Sequence, residues 1–284
     1  MKANETRVQD FLSANKTRFV IPIYQRNYDW TTPQCKLLLD DILHIGTGDE
    51  TAHFIGSVVY VHDDIYTSSK IKELSIIDGQ QRITTLTLIY LAMYHLAIEI
   101  KNDDLENEIY ETYLVNKFVP ESEKSKLRPT PDNLAAVNYL LRADSKEEFK
   151  RYSKVIDNFD YFRSRINEQN YETVLEGLSK LMVVEISLER QKDNPQRIFE
   201  SLNSTGLKLS QADLIRNYIL MGLDRESQNN IYTSYWKIIE ELAREDESNT
   251  SKVSDFIRDY LTLINRPLAK VAEGFTITHT FTTG

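Results

Sequence analysis

The sequence predicts an α+β protein, with a small mixed sheet in the first hundred residues followed by a large α-helical region. Three observations predict it. Glycine and proline are few, 9 and 7 in 284 residues, in a chain rich in Leu, Ile, Glu and Lys, which favours helix. Two early runs, His53 to His62 and Glu73 to Asp78, are built from β-branched and aromatic residues and read as strands. A third such run, Leu181 to Leu188, lies far downstream and is expected to rejoin the same sheet.

The elements follow in order. Asn4 to Asn15 reads as a short helix with Val8, Phe11 and Leu12 on one face. Arg18 to Arg26 is extended, because Pro22 forbids a helix and restricts Ile21. Thr31-Thr32-Pro33 starts a helix that runs through Leu38 and Ile42 and ends near Gly46 or Gly48. After the first strand Asp63-Asp64 turns the chain. Gly79 then punctuates the second strand, and from Gln80 a long helix presents Ile83, Leu86, Ile89, Tyr90, Met93 and Leu96 on its apolar face. Residues 101–266 read as a helical domain, broken near Pro120 to Lys126 and at Pro129-Thr130-Pro131. Asn194-Pro195 opens a helix through Leu202, Asn203 to Gly206 is a turn, and Ser210 to Asp213 is a capping box for a helix to Leu220. Two further helices span Gln228 to Arg244 and Val253 to Ile264. The tail, residues 267–284, is β-like, short of charge and unplaced.

Composition bounds the function. With 41% hydrophobic and 27% charged residues the chain is an ordinary soluble globular type. The single cysteine, Cys35, excludes an internal disulfide and a four-cysteine zinc site, and a reducing cytoplasm fits. The N-terminus lacks the apolar core of a signal peptide, and no run reaches the roughly 18 apolar residues of a membrane span. A net charge of −9 argues against a surface that is basic throughout, so DNA contact is expected to be confined to a local groove and sensitive to salt.

The chemistry concentrates in Ile77-Asp78-Gly79-Gln80-Gln81-Arg82. Gly79 permits a tight turn and close backbone approach. The first N–H groups of the following helix have no intrahelical partner and sit at the positive end of its dipole, a ready anion site. Gln80 and Gln81 add amides, and Arg82 adds a fork suited to phosphate. Asp78 suits water-mediated metal binding or a base, and Thr84 and Thr85 are further candidate contacts. The residues alone also allow a plain alternative, with Asp78 as helix cap and Arg82 in a surface ion pair. Two glutamines are poor capping chemistry, which weighs against that alternative.

Three other segments carry weaker signals. Tyr24-Gln25-Arg26 is extended and suited to presenting Gln25 and Arg26 to the same pocket, while Trp30 reads as core. Gly56, inside a strand, implies close backbone approach. The polar turn with Asn203, Thr205 and Gly206 reads either as a ligand contact or as a helix connection.

Four segments occur together and in order: IPIYQRNYDW at 21–30, HFIGSVVY at 53–60, IIDGQQRITTLTLI at 76–89 and FESLNSTGLKLSQADLIRNYIL at 199–220. In this the chain resembles the N-terminal domain family of GmrSD-type, modification-dependent restriction enzymes, also known as domain of unknown function 262, over roughly Val8 to Leu220. The resemblance implies a ParB- and sulfiredoxin-like fold for residues 1–100. It implies binding and hydrolysis of a nucleoside triphosphate, with Mg²⁺, at the DGQQR motif, and no P-loop is present. Asp78, Gln81 and Arg82 are then the expected catalytic residues, with Asp78 also the metal contact. Gly79, Gln80, Gln25, Arg26, Thr84, Thr85 and Asn203 are the expected nucleotide contacts. The expected partners are DNA, in modified form, and an HNH nuclease domain or subunit, with a homo-oligomer left open. Full-length relatives carry an HNH nuclease, but His44, His53, His62, His95 and His279 are scattered without metal-ligand spacing. The expectation is therefore a regulatory module of a phage-defence system lacking its nuclease. A non-catalytic nucleotide- or DNA-binding switch and a ParB-like nuclease are the alternatives.

Overall fold

The computed structural model describes residues 1–63, 71–143, 149–189, 192–203, 209–243 and 251–264. It divides into two compact units, Met1–Leu207 and Lys208–Gly284.

Among the described residues the first unit is built on six strands: β1 (Lys2–Arg7), β2 (Thr17–Val20), β3 (His53–Asp63), β4 (Lys72–Asp78), β5 (Leu127–Arg128) and β6 (Leu181–Leu188). Their order is β1-β6-β3-β4-β2-β5, so the late strand β6 sits between β1 and β3. The pairs β1–β6 and β3–β4 are antiparallel; β6–β3, β4–β2 and β2–β5 are parallel. A mixed sheet with helices interspersed makes the fold α+β, as the sequence predicts.

Side chains alternate across the strands as the pleat requires. Val58 and Tyr60 of β3 and Leu74 and Ile76 of β4 join the main core. Their neighbours Val59, Val61 and Ile77 are also buried, on the opposite face. Helix α3 (Gln80–Glu99) is the centre of the main core. Fifteen of its twenty residues are buried, so it is enclosed all round rather than along one stripe. It packs against α4 (Asp103–Ile109), the π-helical turn Tyr110–Leu114 that continues α4, and α6 (Lys154–Arg165). Helices α1 (Val8–Ser13), α2 (Thr32–Thr47) and α7 (Tyr171–Lys180) also pack in this unit, α7 against both α1 and α2. Helix α5 (Pro131–Leu141) packs on α6, and α8 (Pro195–Asn203) lies against β4 with Phe199 buried. Beneath α1, the buried Lys126 ammonium donates to the carbonyls of Leu12 (3.0 Å), Ala14 (3.2 Å) and Thr112 (2.6 Å).

The second unit contains α9 (Gln211–Leu220), α10 (Arg225–Ile231), the π-helical turn Tyr232–Trp236, α11 (Lys237–Ala243) and α12 (Ser251–Ile264). Ser210 caps α9: its Oγ accepts from Asp213 N at 3.1 Å, and Asp213 accepts from Ser210 N at 3.2 Å. Arg216, buried in the same unit, pairs with Asp213 (2.6 Å) and Glu240 (2.5 Å).

Three expectations need correction. The helix expected from Asn4 begins only at Val8, because Lys2 to Arg7 pair residue by residue with β6, from Lys2↔Ser187 to Arg7↔Met182. Thr6 Oγ1 also donates to Glu185 across that pair (3.1 Å). The extended stretch expected to Arg26 stops at Val20 as a strand, and Gln25 N donates to Pro22 O at 3.0 Å, turning the chain back. The helical text of 101–180 contains a two-residue strand, β5, which closes the far edge beside β2. The tail 267–284 lies outside the described residues.

Candidate functional site

The DGQQR motif occupies the crossing from β4 to α3. Gly79 has φ 89°, in the left-handed region, and a Cβ there would lie 3.0 Å from Ser57 O and 3.1 Å from Val58 Cγ2. Strain and crowding together demand glycine. No side chain caps α3, so its first amides keep the positive end of the dipole free of a side-chain acceptor.

Arg82, one turn into α3, is held by the bulge in β3. The register of β3 against β6 shifts between Phe54 and Ser57, with Gly56 at φ +111°. That twist lets Arg82 Nη1 donate to Ile55 O (3.2 Å) and Nη2 to Ser57 O (2.5 Å). A Cβ on Gly56 would sit 2.2 Å from Arg82 Nη1, so the close approach expected at Gly56 is made by the guanidinium itself. Arg82 Nη2 also lies 3.4 Å from Asp78 Oδ2. Both side chains reach solvent, at 24% and 29% exposure, so the pair is accessible to a ligand. Burial lowers the guanidinium's pKa and Asp78 opposes that shift. The group stays charged, as arginine does in proteins. Its Nε is buried without a partner.

The two glutamines point inward and bind protein. Gln80 Nε2 donates to Gln25 Oε1 (3.0 Å), and Gln25 Nε2 donates to Ile77 O (2.9 Å), all three residues buried. Gln81 Oε1 accepts from Asp29 N (2.8 Å) and Trp30 N (3.2 Å), while its Nε2 donates to Asn27 O (3.2 Å). Both amides thus fasten the segment 25–30 onto the start of α3. Behind them Thr85 Oγ1 donates to Gln81 O (2.8 Å) and so accepts from Tyr28 OH (2.8 Å). Tyr28 OH in turn accepts from Asn158 Nδ2 (3.1 Å), which also reaches Trp30 O (2.8 Å). Burial raises the Tyr28 pKa far above the usual phenol range, so this hydroxyl remains a donor at any working pH.

Asp78, Gly79, Gln80, Gln81, Arg82 and Gln25 are therefore brought together. Arg26 sits beside them, its Nη1 3.7 Å from Asp29 Oδ2. Thr84 and Thr85 are buried, at 3% and 0% exposure, and Thr85 is spent on the Tyr28 network. Asn203 closes α8; residues 204–208, with Thr205 and Gly206, lie outside the described residues. Trp30 is partly buried against the core. Sequence reasoning missed Asn27, Lys154 and Asn158. Asn27 accepts from Thr130 Oγ1 (2.7 Å) and donates to Asp132 (2.8 Å), and Lys154 pairs with Asp29. These partners lie more than a hundred residues apart, and no local pattern signals them.

Among the described residues no group of three or more His, Cys, Asp or Glu could hold a metal. Asp78 is the carboxylate at the turn itself. A lone carboxylate fits the mode in which Mg²⁺ is completed by substrate phosphates and water. Among the described residues no helix is long and apolar enough to cross a membrane.

No curated protein matches the chain. The model of the GmrSD restriction endonuclease N-terminal domain matches it over residues 8–220, a span that runs from α1 to the end of α9 and includes the DGQQR turn and its bulge. The chain therefore belongs to the GmrSD restriction endonuclease N-terminal domain family, which makes it a restriction-system module.

Proposed function

We propose that this chain binds a nucleoside triphosphate with Mg²⁺ at the DGQQR turn and hydrolyses it as the regulatory module of a DNA restriction system acting in the cytoplasm. The observation that carries the reading is the solvent-reaching Arg82–Asp78 pair at the uncapped start of α3. Three of the five guanidinium donors go to Ile55, Ser57 and Asp78 and the Nε donor is buried, leaving one Nη1 N–H for a phosphate oxygen beside the helix amides. Asp78 would hold Mg²⁺ or position water, and a bound Mg²⁺ would supply charge neutralisation at the phosphates. Arg26 adds a second cation at the rim. DNA and an HNH nuclease domain or subunit are the partners this reading needs.

Phosphate release with each of the four ribonucleoside triphosphates and Mg²⁺ tests it. Release that disappears in Arg82→Ala and Asp78→Asn, with both variants folded by circular dichroism, supports the reading. A second reading, a switch that binds without hydrolysis, is favoured by one observation: the amides of Gln80 and Gln81 are committed to Gln25 and to segment 27–30, away from the role of orienting water. Ligand-dependent thermal stabilisation without phosphate release selects it. Absence of both release and binding refutes nucleotide recognition at this turn.

A further inference from the structure

A cavity lies toward the other end of α3, away from the DGQQR turn. It is an open cleft of about 440 Å³ between α3, α5 and α6, with the exposed Arg142 and Asp160 on its lining. Its walls are two ring pairs. His95 meets Phe159 edge to face at 4.8 Å, and Tyr139 packs on Phe149 at 5.5 Å. Arg142 and Asp160 complete the lining, and neither has an ion-pair partner among the described residues. His95 Nε2 lies 2.7 Å from Leu140 O, so it carries the proton and Nδ1 is left as an acceptor. Burial lowers the His95 pKa, which keeps the ring neutral. Partial desolvation against the cleft raises the Asp160 pKa, with the like charge of Asp157 adding to it.

The lining selects a ligand class. Aromatic walls suit a flat ring, whose stacking does not depend on its substituents. An aromatic box with a carboxylate alone would suit a quaternary ammonium. Here Arg142 disfavours a full cation, and a carboxylate and a guanidinium on one lining instead suit a neutral ring that offers both donors and acceptors. The volume falls within the range of small-molecule sites.

We infer that this cavity binds a nucleobase, either in a free nucleoside or as a base extruded from DNA. The inference does not rest on the proposed triphosphate site, and the test separates the two. Nucleosides carry no phosphate, so isothermal titration of the full chain with adenosine, guanosine, cytidine and uridine probes the cavity. A DNA duplex with one mismatched base probes the extruded source. At least one of these probes is expected to bind. The affinity should fall about tenfold in Asp160→Asn, the loss of one hydrogen bond to a charged group. It should fall by a similar factor in Tyr139→Ala, the loss of a stacking face. Arg82→Ala should leave it unchanged. Asp160 is exposed, so its variant keeps the fold, and circular dichroism checks Tyr139→Ala. The tighter of the two probes identifies the source. The inference is overturned if neither probe binds at millimolar concentration, if binding ignores both cavity variants, if Arg82→Ala abolishes it, or if choline binds in their place.

Discussion

Replacing Gly56 with alanine should cost stability by two separable routes, and a double-mutant cycle can divide them. The first route is backbone: φ is +111°, where an L residue is strained by roughly 1–3 kcal/mol. The second is Arg82, because the new methyl would fall 2.2 Å from Nη1 and must displace the guanidinium. The displaced group loses its bonds to Ile55 O and Ser57 O, and hydrogen bonds to a charged group are worth roughly 1.5–3 kcal/mol each. Water recovers part of that, since the side chain already reaches solvent. Gly56→Ala should therefore cost about 3–5 kcal/mol in the wild-type background but about 2 kcal/mol less, about 1–3 kcal/mol, in Arg82→Ala, where strain alone remains. Urea unfolding of the four proteins measures the coupling. Equal costs in both backgrounds would refute the idea that the bulge exists to seat Arg82. Gly222→Ala is the control: nothing lies within 4 Å of its Cβ, and the change should be close to neutral.

Two further predictions concern the groups around the site. Gln81→Ala strips the shared acceptor from Asp29 N and Trp30 N and should destabilise the protein by roughly 2–4 kcal/mol, read by urea unfolding. A loss under about 0.5 kcal/mol, the range of an ordinary surface change, would mean that segment 27–30 is held without it. For Lys126, burial pushes the ammonium down to about 8, below its value of about 10.4 in an unfolded chain. Between those values the unfolded state binds the extra proton, so stability should rise with pH from about 8 to about 10.4 relative to Lys126→Met. Below about 8 both states are protonated and the difference should level off. A difference independent of pH across that window would contradict the burial argument.

The strand–Gly79–helix crossing could be read directly, because local chemistry dictates it: a β-branched run, a glycine and then a helical apolar period. The Ser210 cap was legible for the same reason, with both partners within three residues. The strand β1 was not legible. KANETR has no apolar alternation, and it is a strand only because β6, about 180 residues later, supplies its hydrogen bonds. The glutamine pair was legible as an oddity, two residues unsuited to capping, but not in its purpose. Gln81 binds a segment some fifty residues earlier, and such pairing leaves no periodic trace. Gly56 announced a close neighbour without naming it, since Arg82 arrives from another element. What the sequence conceals here is long-range polar pairing, while turns and apolar periods remain visible.

The position of β6 between β1 and β3 has a consequence for synthesis. Until residue 188 leaves the ribosome, β1 has no partner and one edge of β3 stays open. The strands that flank the DGQQR turn, β2, β3 and β4, are all complete by residue 78, while the β3 bulge that seats Arg82 is set against β6. The nascent chain therefore carries the DGQQR turn on a half-built sheet for more than a hundred residues of elongation, with an unprotected strand edge available to other chains. Fragments that stop short of Leu188 inherit that edge permanently, and self-association is their expected fate.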